Sequence, residues 1–279
     1  MPSIRYRLLN VFAETPFGGN PLAVVEDGHG LCDEDMQRVA RQFNLSETTF
    51  LLPSDRAAAR IRIFTPQYEM PFAGHPTLGS ADVVRTLCGA GDRFELEMQA
   101  GLIPVAFEDG RWSLAAQPAK SRPLPASRED LAAMLGLPVE ALAGPAVWMD
   151  CGTEQALIPL RSPADVHACC PDAARIARHC VNKNGQAKAY VFARTAEGFE
   201  VRYWWLSGPG SLSEDPGTGS ACANLGGWWI ATHGDTPLAA IVAQGTAMGR
   251  PNRLTLNVNQ GQVRIGGRVI DMGSGELRW

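Results

Sequence analysis

One short sequence occurs twice in this chain, and its spacing constrains the fold more than any other feature. The tripeptide Gly-Ser-Ala at Gly79–Ala81 recurs at Gly219–Ala221, 140 positions later in a chain of 279 residues. Each copy follows a β-type run and opens an apolar helical stretch. A glycine turn at a helix start leaves backbone N–H groups at the positive end of the helix dipole, which favours a bound anion. The spacing therefore predicts two similar halves, each with an anion-binding turn.

The same offset of 140 relates the segments around the two copies. Arg62–Phe64 and Arg202–Trp204 are both strand-like, and so are Thr48–Leu52 and Lys188–Phe192, because all are rich in β-branched or aromatic residues. A helix candidate precedes each pair of strands, and another follows each glycine turn. Chance similarity in a chain with 29 glycines is the alternative, but several element types sharing one offset favour a duplicated half.

Short strands with Gly and Asn turns around one or two long helices per half predict an α+β fold. We expect two similar halves, each a curved or barrel-like β-sheet around a central helix, with residues 1–118 in the first half and 119–265 in the second. Pro118–Pro125, which has three prolines and no hydrophobic period, is the predicted linker. Helices are expected at Met36–Phe43, Pro76–Leu87, Ala173–Cys180 and Gly219–His233.

Composition excludes several classes of protein. Hydrophobic residues make up 45% of the chain and charged residues 19%, as in globular proteins. A net charge of −4 gives no basic surface for nucleic acid or an anionic membrane. No apolar run approaches the length of a membrane span, and the first residues lack the apolar core of a signal peptide. Seven irregularly spaced cysteines without a C-x-x-C pair argue against a disulfide scaffold and a zinc site, so we expect a cytoplasmic protein without a metal.

Glu47 is the candidate general base. It lies within Asn44–Phe50, where a helix candidate gives way to a strand candidate, so its carboxylate can point from a strand end into a cleft. An apolar strand beside it would bury the carboxyl group and raise its pKa, as a base that acts on a C–H bond requires. A solvated turn glutamate or a helix cap is the alternative, and from these residues alone it is the commoner case.

His75 and Asp215 accompany the two glycine turns. His75 follows Gly74 at a helix start, where it can donate a hydrogen bond or relay a proton, and a buried structural histidine is the equal alternative. Asp215 begins an Asp-Pro turn before a Gly-rich helix start, a pattern that also serves as an ordinary turn and cap. Thr218 and Ser220 could donate hydroxyl hydrogen bonds to an anion, or simply cap the helix.

Five motifs carry a family resemblance that covers nearly the whole chain. They are Val11–Val25, Asn44–Thr48, Arg62–Pro66, Pro71–Gly79 and Glu214–Ala221. Together they resemble the phenazine-biosynthesis PhzF-like isomerase family, which shares the diaminopimelate epimerase fold. The resemblance implies two similar α+β halves with a site between them, a C-terminal strand within 266–279 that returns to the first half, and a homodimer.

The resemblance also implies roles for individual residues. Glu47 would be the proton-transferring acid/base, and His75 and Asp215 would complete the catalytic set. The implied substrate-binding residues are Asn20, Ser46, Gly74, Thr218, Gly219 and Ser220, with the backbone at the two glycines holding a carboxylate. Neither a metal nor an organic cofactor is implied, and the implied partner is a small carboxylated substrate rather than nucleic acid or a membrane.

The epimerase branch of that fold uses two catalytic cysteines, and this chain has neither. The aligned positions are Ala73 and Pro216, and Cys222 lies several residues inside the predicted helix. This substitution disfavours two-thiol epimerisation. The single carboxyl group of Glu47 instead favours removal of a proton from one carbon and its return at another carbon on the same face.

We therefore expect a cofactor-independent isomerase that acts on a small carboxylated metabolite, unsaturated or cyclic. A racemase, an epimerase or a hydro-lyase using the same pocket is one alternative. A non-catalytic metabolite-binding protein is another, ranked last because all three acid/base candidates are present. The residues leave the substrate and the pathway open.

Overall fold

Helices and strands alternate along the chain in the computed structural model, which describes residues 3–208 and 210–278. The six α-helices of these residues are α1 (Asp33–Phe43), α2 (Gly74–Cys88), α3 (Arg128–Leu135), α4 (Pro163–Ala168), α5 (Ala173–His179) and α6 (Gly219–His233). Their eighteen strands are β1 (Ser3–Val11), β2 (Asn20–Val25), β3 (Thr48–Leu52), β4 (Ala59–Phe64), β5 (Glu69–Met70), β6 (Arg93–Met98), β7 (Gly101–Glu108), β8 (Arg111–Ala115), β9 (Lys120–Pro123), β10 (Val147–Asp150), β11 (Glu154–Pro159), β12 (Lys188–Arg194), β13 (Gly198–Gly208), β14 (Ser211–Glu214), β15 (Leu238–Gln244), β16 (Asn252–Asn259), β17 (Gln262–Gly267) and β18 (Val269–Arg278).

These elements separate into two units. Unit 1 comprises Met1–Ala115 with Gly266–Trp279, and unit 2 comprises Ala116–Ile265. The sequence predicted the first boundary after residue 118, whereas the first stretch of unit 1 ends at Ala115. The predicted helices are present as α1, α2, α5 and α6, and α6 has the predicted bounds. Within residues 3–208 and 210–278, no helix has both the length and the apolar character needed to cross a membrane.

The predicted linker is not free of regular structure. Strand β9 lies inside Pro118–Pro125 and pairs antiparallel with β10, with Arg122 opposite Trp148. All four side chains of β9 are exposed. A strand without a buried face has no alternation of apolar and polar residues, so these residues carry no strand signal, and the linker prediction is wrong for this segment.

The first and last strands of the chain lie side by side in unit 1. Strand β18 pairs antiparallel with β1, from Ser3 opposite Arg278 to Val11 opposite Val269. Strand β1 is also antiparallel to β2, β2 is parallel to β3, β3 is antiparallel to β4, and β4 is parallel to β6. The antiparallel strands β6, β7 and β8 follow.

Helix α2 packs closely against the first strands of unit 1. Its first eight residues, Gly74–Ala81, are all buried. A Cβ atom at Gly79 would lie 2.5 Å from Cδ2 of Leu22 and 3.0 Å from Cγ2 of Val11. The glycine of the repeated tripeptide therefore allows the helix to approach β1 and β2, because any larger residue would push it away. This approach holds the start of α2 in place.

Unit 2 repeats the pairing scheme of unit 1. Strand β11 is parallel to β12, β12 is antiparallel to β13, β13 is parallel to β15, and β15 is antiparallel to β16. The same order of parallel and antiparallel pairs runs from β2 to β7. Helix α6 also needs a glycine for close packing, since a Cβ atom at Gly226 would lie 2.5 Å from Cγ1 of Val263. Barrel-like curvature of each sheet around its helix stays a prediction.

Candidate active site

Glu47 lies where helix α1 gives way to strand β3. The helix ends at Phe43, and Asn44 closes it in the left-handed conformation, with a φ of 51°. Strand β3 begins at Thr48, and its first four residues are buried. The Glu47 side chain is only 16% exposed. Its Oε2 atom is buried and has no hydrogen bond within the part of the chain that the structure describes. The fold thus places a carboxyl group at the buried end of a strand.

His75 lies next to this carboxyl group. Its Nδ1 atom is 3.5 Å from Oε2 of Glu47, and its side chain is 5% exposed. His75 is the second residue of α2, whose N-cap residue, Ala73, provides no side-chain cap. The positive end of the helix dipole therefore points toward the space beside Glu47 without a carboxylate of its own first turn to neutralise it.

Burial brings the pKa of the Glu47 carboxyl group close to neutral pH. Desolvation raises its pKa from 4.5 to about 7, and a hydrogen bond with Ser46 lowers it in part. Oγ of Ser46 also lies 3.3 Å from Oδ1 of the buried Asn20. A carboxyl group with this pKa populates both protonation states near pH 7, so it can take up a proton and give it back.

Tyr68 belongs to the surroundings of Glu47, although the sequence did not reveal it. It lies in the turn between β4 and β5, where its N–H donates to Oγ1 of Thr65 at 3.0 Å. Burial raises the pKa of the Tyr68 phenol, and the charge of Glu47 raises it further. The phenol is therefore within electrostatic range of the carboxylate. An aromatic residue in a turn carries no sequence signal for such a position, because the fold alone brings the two segments together.

In unit 2, three side chains form one hydrogen-bonded group before helix α6. The Thr218 hydroxyl donates to Oδ2 of Asp215 at 2.5 Å. Gln244 accepts from the Thr218 N–H at 3.0 Å, and its Nε2 donates to Thr218 Oγ1 at 2.9 Å and to the Asp215 carbonyl at 2.8 Å. Gln244 is fully buried at the end of β15. Gln244 was not predicted as a site residue, because one glutamine in a strand candidate does not indicate a partner 26 residues away.

Gly219 and Ser220 form the start of α6. Gly219 is buried, whereas Ser220 is half-buried, and its Oγ accepts a hydrogen bond from Nε2 of Gln155 at 3.0 Å. In the turn just before them, a Cβ atom at Gly217 would collide with the Asn252 side chain. The turn therefore requires glycine at this position.

No thiol occupies the positions of the missing epimerase cysteines. Cys222 is fully buried in α6, and burial raises the pKa of its thiol well above the usual range. Burial also raises the pKa of Cys151 to about 12. Both groups are protonated near pH 7 and therefore poor nucleophiles or bases. Among residues 3–208 and 210–278, no three His, Cys, Asp or Glu side chains are grouped so as to hold a metal ion.

The structure collects the predicted site residues into two sets. In unit 1, the set around the Glu47 carboxyl group is Asn20, Ser46, Glu47, Gly74 and His75. In unit 2, the set at the start of α6 is Asp215, Thr218, Gly219 and Ser220. The use of both sets by one ligand stays a prediction.

Family comparison accounts for almost the whole chain. The model of the PhzC-PhzF family, described as "Phenazine biosynthesis-like protein", matches residues 9–275. The chain belongs to this family.

Several relatives of this chain are named isomerases. The chain is 41% identical to an uncharacterised isomerase of Pasteurella multocida, across 98% of this chain and 93% of the relative. It is 35% identical to the trans-2,3-dihydro-3-hydroxyanthranilate isomerase of Pseudomonas aeruginosa, across 90% of this chain and 88% of that protein. The crystal structure of a PhzF-family phenazine biosynthesis protein from Bacillus anthracis has a TM-score of 0.90 and 26% identity, covering 100% of both chains. The chain is thus an isomerase of this family, with its mixed fold of helices and sheet.

Proposed function

We propose that this protein is a cofactor-independent isomerase that moves a proton between two carbons of a small carboxylated metabolite, with Glu47 as the acid/base. The observation that carries the proposal is the environment of the Glu47 carboxyl group. Burial raises its pKa to about 7, and its Oε2 atom lies 3.5 Å from Nδ1 of His75. A base for a C–H bond works best near neutral pH when its own pKa lies close to 7.

The proposed reaction has two proton transfers. The Glu47 carboxylate takes a proton from an sp³ carbon next to a double bond, and the electron pair of the C–H bond enters the conjugated system. The neutral carboxylic acid, whose proton exchanges with solvent, then gives a proton to a different carbon, which restores the carboxylate. Atoms and charge balance without an oxidant, a metal or an organic cofactor, and one carboxyl group suffices because both transfers occur on one face.

His75 would stabilise the negative charge that forms between the two transfers. Its ring lies beside the Glu47 carboxyl group and at the start of α2. A neutral ring can donate one hydrogen bond to an oxygen of the substrate. Preorganised donors of this kind contribute most when charge develops in a site that excludes water.

Backbone and hydroxyl donors would bind the substrate's carboxylate and polar groups. The start of α2 at Gly74 and the start of α6 at Gly219 each lack a side-chain cap. Each helix start can therefore bind an anionic group. In the same proposal Ser46 and Asn20 bind polar groups of the substrate near Glu47. Ser220 does so near Asp215, which orients the substrate. Thr218 would contribute by holding the Asp215 carboxylate, because its hydroxyl and its N–H both donate within the protein.

The finer architecture in this proposal is that of two duplicated halves. The shared order of strand pairings and the shared Gly-Ser-Ala tripeptide support an ancestral half that was doubled. The proposed halves are residues 1–118 with 266–279, and 119–265, each with a curved sheet around α2 or α6, and the active form is a homodimer.

Trans-2,3-dihydro-3-hydroxyanthranilate is the first substrate to test, because a relative with 35% identity is named for its isomerisation. The compound carries a carboxylate and a conjugated ring, as the proposed mechanism requires. We expect the protein in D₂O to convert it to an isomer without loss of water and with deuterium at the carbon that receives the proton, followed by NMR and mass spectrometry.

The decisive variant is Glu47→Gln, which keeps the shape of the side chain and removes the base. We expect it to lower the rate by about 10²–10⁴-fold. Glu34→Gln is the matched control, since Glu34 lies on the surface of α1 with its side chain 72% exposed. A wild-type rate in Glu47→Gln would refute the assignment of the base. Inversion at a single carbon or loss of water would instead identify a racemase or a hydro-lyase, and turnover of another carboxylate alone would overturn only the choice of substrate.

A further inference from the structure

Two buried amide side chains form a chain of hydrogen bonds that ends at Ser220 in unit 2. Gln155 lies on β11 and Asn224 lies on α6, one turn after Ser220, and both amide side chains are fully buried. Asn224 contacts Gln155, and Gln155 contacts Ser220. Neither amide was singled out as a site residue in the sequence, because their contacts join residues 69 and 65 positions apart.

Backbone groups fix the orientation of the Asn224 amide. Its Oδ1 accepts from the N–H of Cys151 at 2.7 Å, and its Nδ2 donates to the carbonyl of Thr153 at 2.8 Å. A flipped amide would place a donor against the N–H and an acceptor against the carbonyl, which is unfavourable at both contacts. The second hydrogen of Nδ2 is therefore directed at Gln155.

The Asn224 amide in turn fixes the Gln155 amide. Nδ2 of Asn224 donates to Oε1 of Gln155 at 2.7 Å, so Nε2 of Gln155 faces Oγ of Ser220, at 3.0 Å. An amide nitrogen has hydrogens to donate and no lone pair to accept. Oγ of Ser220 must therefore be the acceptor in this contact, and the single hydroxyl hydrogen of Ser220 points elsewhere.

The corresponding serine in unit 1 uses its hydrogen within the protein. Ser80, in the first copy of the Gly-Ser-Ala tripeptide, is fully buried and donates to Oγ1 of Thr49 at 2.9 Å. The half-buried Ser220 donates to no group in the part of the chain that the structure describes. The two copies of the tripeptide thus present their hydroxyl groups differently.

We propose that Asn224 and Gln155 are positioning residues. They keep Oγ of Ser220 as the acceptor of the Gln155 hydrogen bond, so that the Ser220 hydroxyl hydrogen is donated to an oxygen of the substrate. This inference rests on the proposed function, and it narrows the substrate: the group bound at Ser220 is a hydrogen-bond acceptor, such as a carboxylate or enolate oxygen, and is not an ammonium or amide N–H. Holding the hydroxyl in one direction before binding also reduces the entropy lost when the ligand is bound.

Binding of 3-hydroxyanthranilate, an aromatic compound with the carbon skeleton of the first candidate substrate, provides the test. Calorimetry measures its affinity for the wild-type protein and for Ser220→Ala, Gln155→Glu, Gln155→Met and the double variant Ser220→Ala/Gln155→Glu. Ser220→Ala should weaken binding by about tenfold to a hundredfold, because a hydrogen bond to a charged group is lost.

The two substitutions of Gln155 separate donor direction from packing. Titrations at pH 9 keep the introduced carboxyl group ionised, so it can still accept from Asn224, but it also accepts from Ser220 and withdraws the hydroxyl from the ligand. Its charge also repels the anionic probe, so Gln155→Glu should weaken binding at least as strongly as Ser220→Ala, and this loss should become smaller when Ser220 is already alanine. Gln155→Met leaves the hydroxyl free to rotate toward the ligand and should cost only about threefold.

Three results would overturn the inference. They are equal losses in Gln155→Glu and Gln155→Met, a full additional loss from Gln155→Glu in the Ser220→Ala background, and no binding of the probe to the wild-type protein at millimolar concentration. Because the readout is binding, it does not depend on Glu47 chemistry. Wild-type turnover in Glu47→Gln would refute the proposed function without changing these affinities. If instead Glu47→Gln loses activity but the affinities of the Gln155 variants differ from those expected, only the role of Gln155 is removed.

Discussion

Nδ1 of His75 lies 3.5 Å from Oε2 of Glu47, where the start of helix α2 meets the start of strand β3. The backbones on both sides are held in place. Helix α2 is fixed by the close approach at Gly79, and Glu47 immediately precedes a strand that is buried and paired on both sides. Packing and strand pairing therefore hold both backbones in place without a substrate, and such preorganisation is the condition under which acid–base and electrostatic catalysis are most effective.

The rate of isomerisation should depend on pH through Glu47. The reaction begins with the carboxylate form, and burial raises the pKa of this group to about 7. We therefore expect kcat/KM to rise about tenfold per pH unit below pH 7 and to level off above it. The measurement is kcat/KM from pH 5 to pH 9. A profile that is already flat at pH 5 would show that Glu47 has an ordinary pKa or is not the base.

The same burial should make Glu47 a cost to stability at high pH. The folded pKa of about 7 exceeds the ordinary value of 4.5, so the folded state binds more protons than the unfolded state between these values, and stability falls as pH rises through this window. The loss is complete above pH 7 and amounts to about 3 kcal/mol.

Glu47→Gln should therefore stabilise the fold while it removes activity. We expect its free energy of unfolding to exceed that of the wild type by up to about 3 kcal/mol at pH 8 and to match it near pH 4, where the wild-type carboxyl group is neutral. Urea unfolding at the two pH values measures the difference, with Glu34→Gln as the surface control. Equal effects at pH 4 and pH 8 would contradict the elevated pKa.

The sequence predicted the elements of the site better than its supporting contacts. Glycine turns, helix starts and β-type runs are local signals, so α2, α6, β3 and the position of Glu47 followed from short stretches of residues. Gln155 and Gln244 were missed, because a polar residue in a buried strand is informative only once its partner on another element is known. Tyr68 was missed for the same reason.

His75 should affect catalysis more than binding. His75→Asn removes the ring next to Glu47 and leaves a polar side chain of smaller size, so we expect kcat to fall by about 10²-fold or more with a smaller change in KM. His29→Asn is the matched control, because His29 is exposed in unit 1. Steady-state kinetics provide the measurement. A change confined to KM would show that His75 only binds the substrate.

Position 79 should not accept a residue larger than glycine without loss of stability, because helix α2 lies so close to β1 and β2 there. Alanine is a better helix former than glycine by about 0.5–1 kcal/mol, but its Cβ would lie 2.5 Å from Cδ2 of Leu22. We expect Gly79→Ala to destabilise unit 1 by about 1–3 kcal/mol. Gly91→Ala is the control, since a Cβ atom there would meet no atom within 4 Å. Urea unfolding distinguishes them, and a stabilised Gly79→Ala variant would mean that the helix packs less tightly.

Gln244 should be needed both for stability and for the orientation of Asp215. It makes three hydrogen bonds to the turn before α6, and Gln244→Leu would leave the Thr218 N–H and the Asp215 carbonyl without this partner. Each unsatisfied buried group costs about 1–3 kcal/mol, so we expect a loss of about 2–5 kcal/mol in the free energy of unfolding. Gln262→Leu, on the exposed face of β17, is the matched control and should change stability by less than about 0.5 kcal/mol.

KM should also rise in Gln244→Leu, because without Gln244 the Thr218 hydroxyl would be free to leave Asp215. A destabilised variant with an unchanged KM would separate the turn's structural role from substrate binding, and it would argue against a role for Asp215 in orienting the substrate.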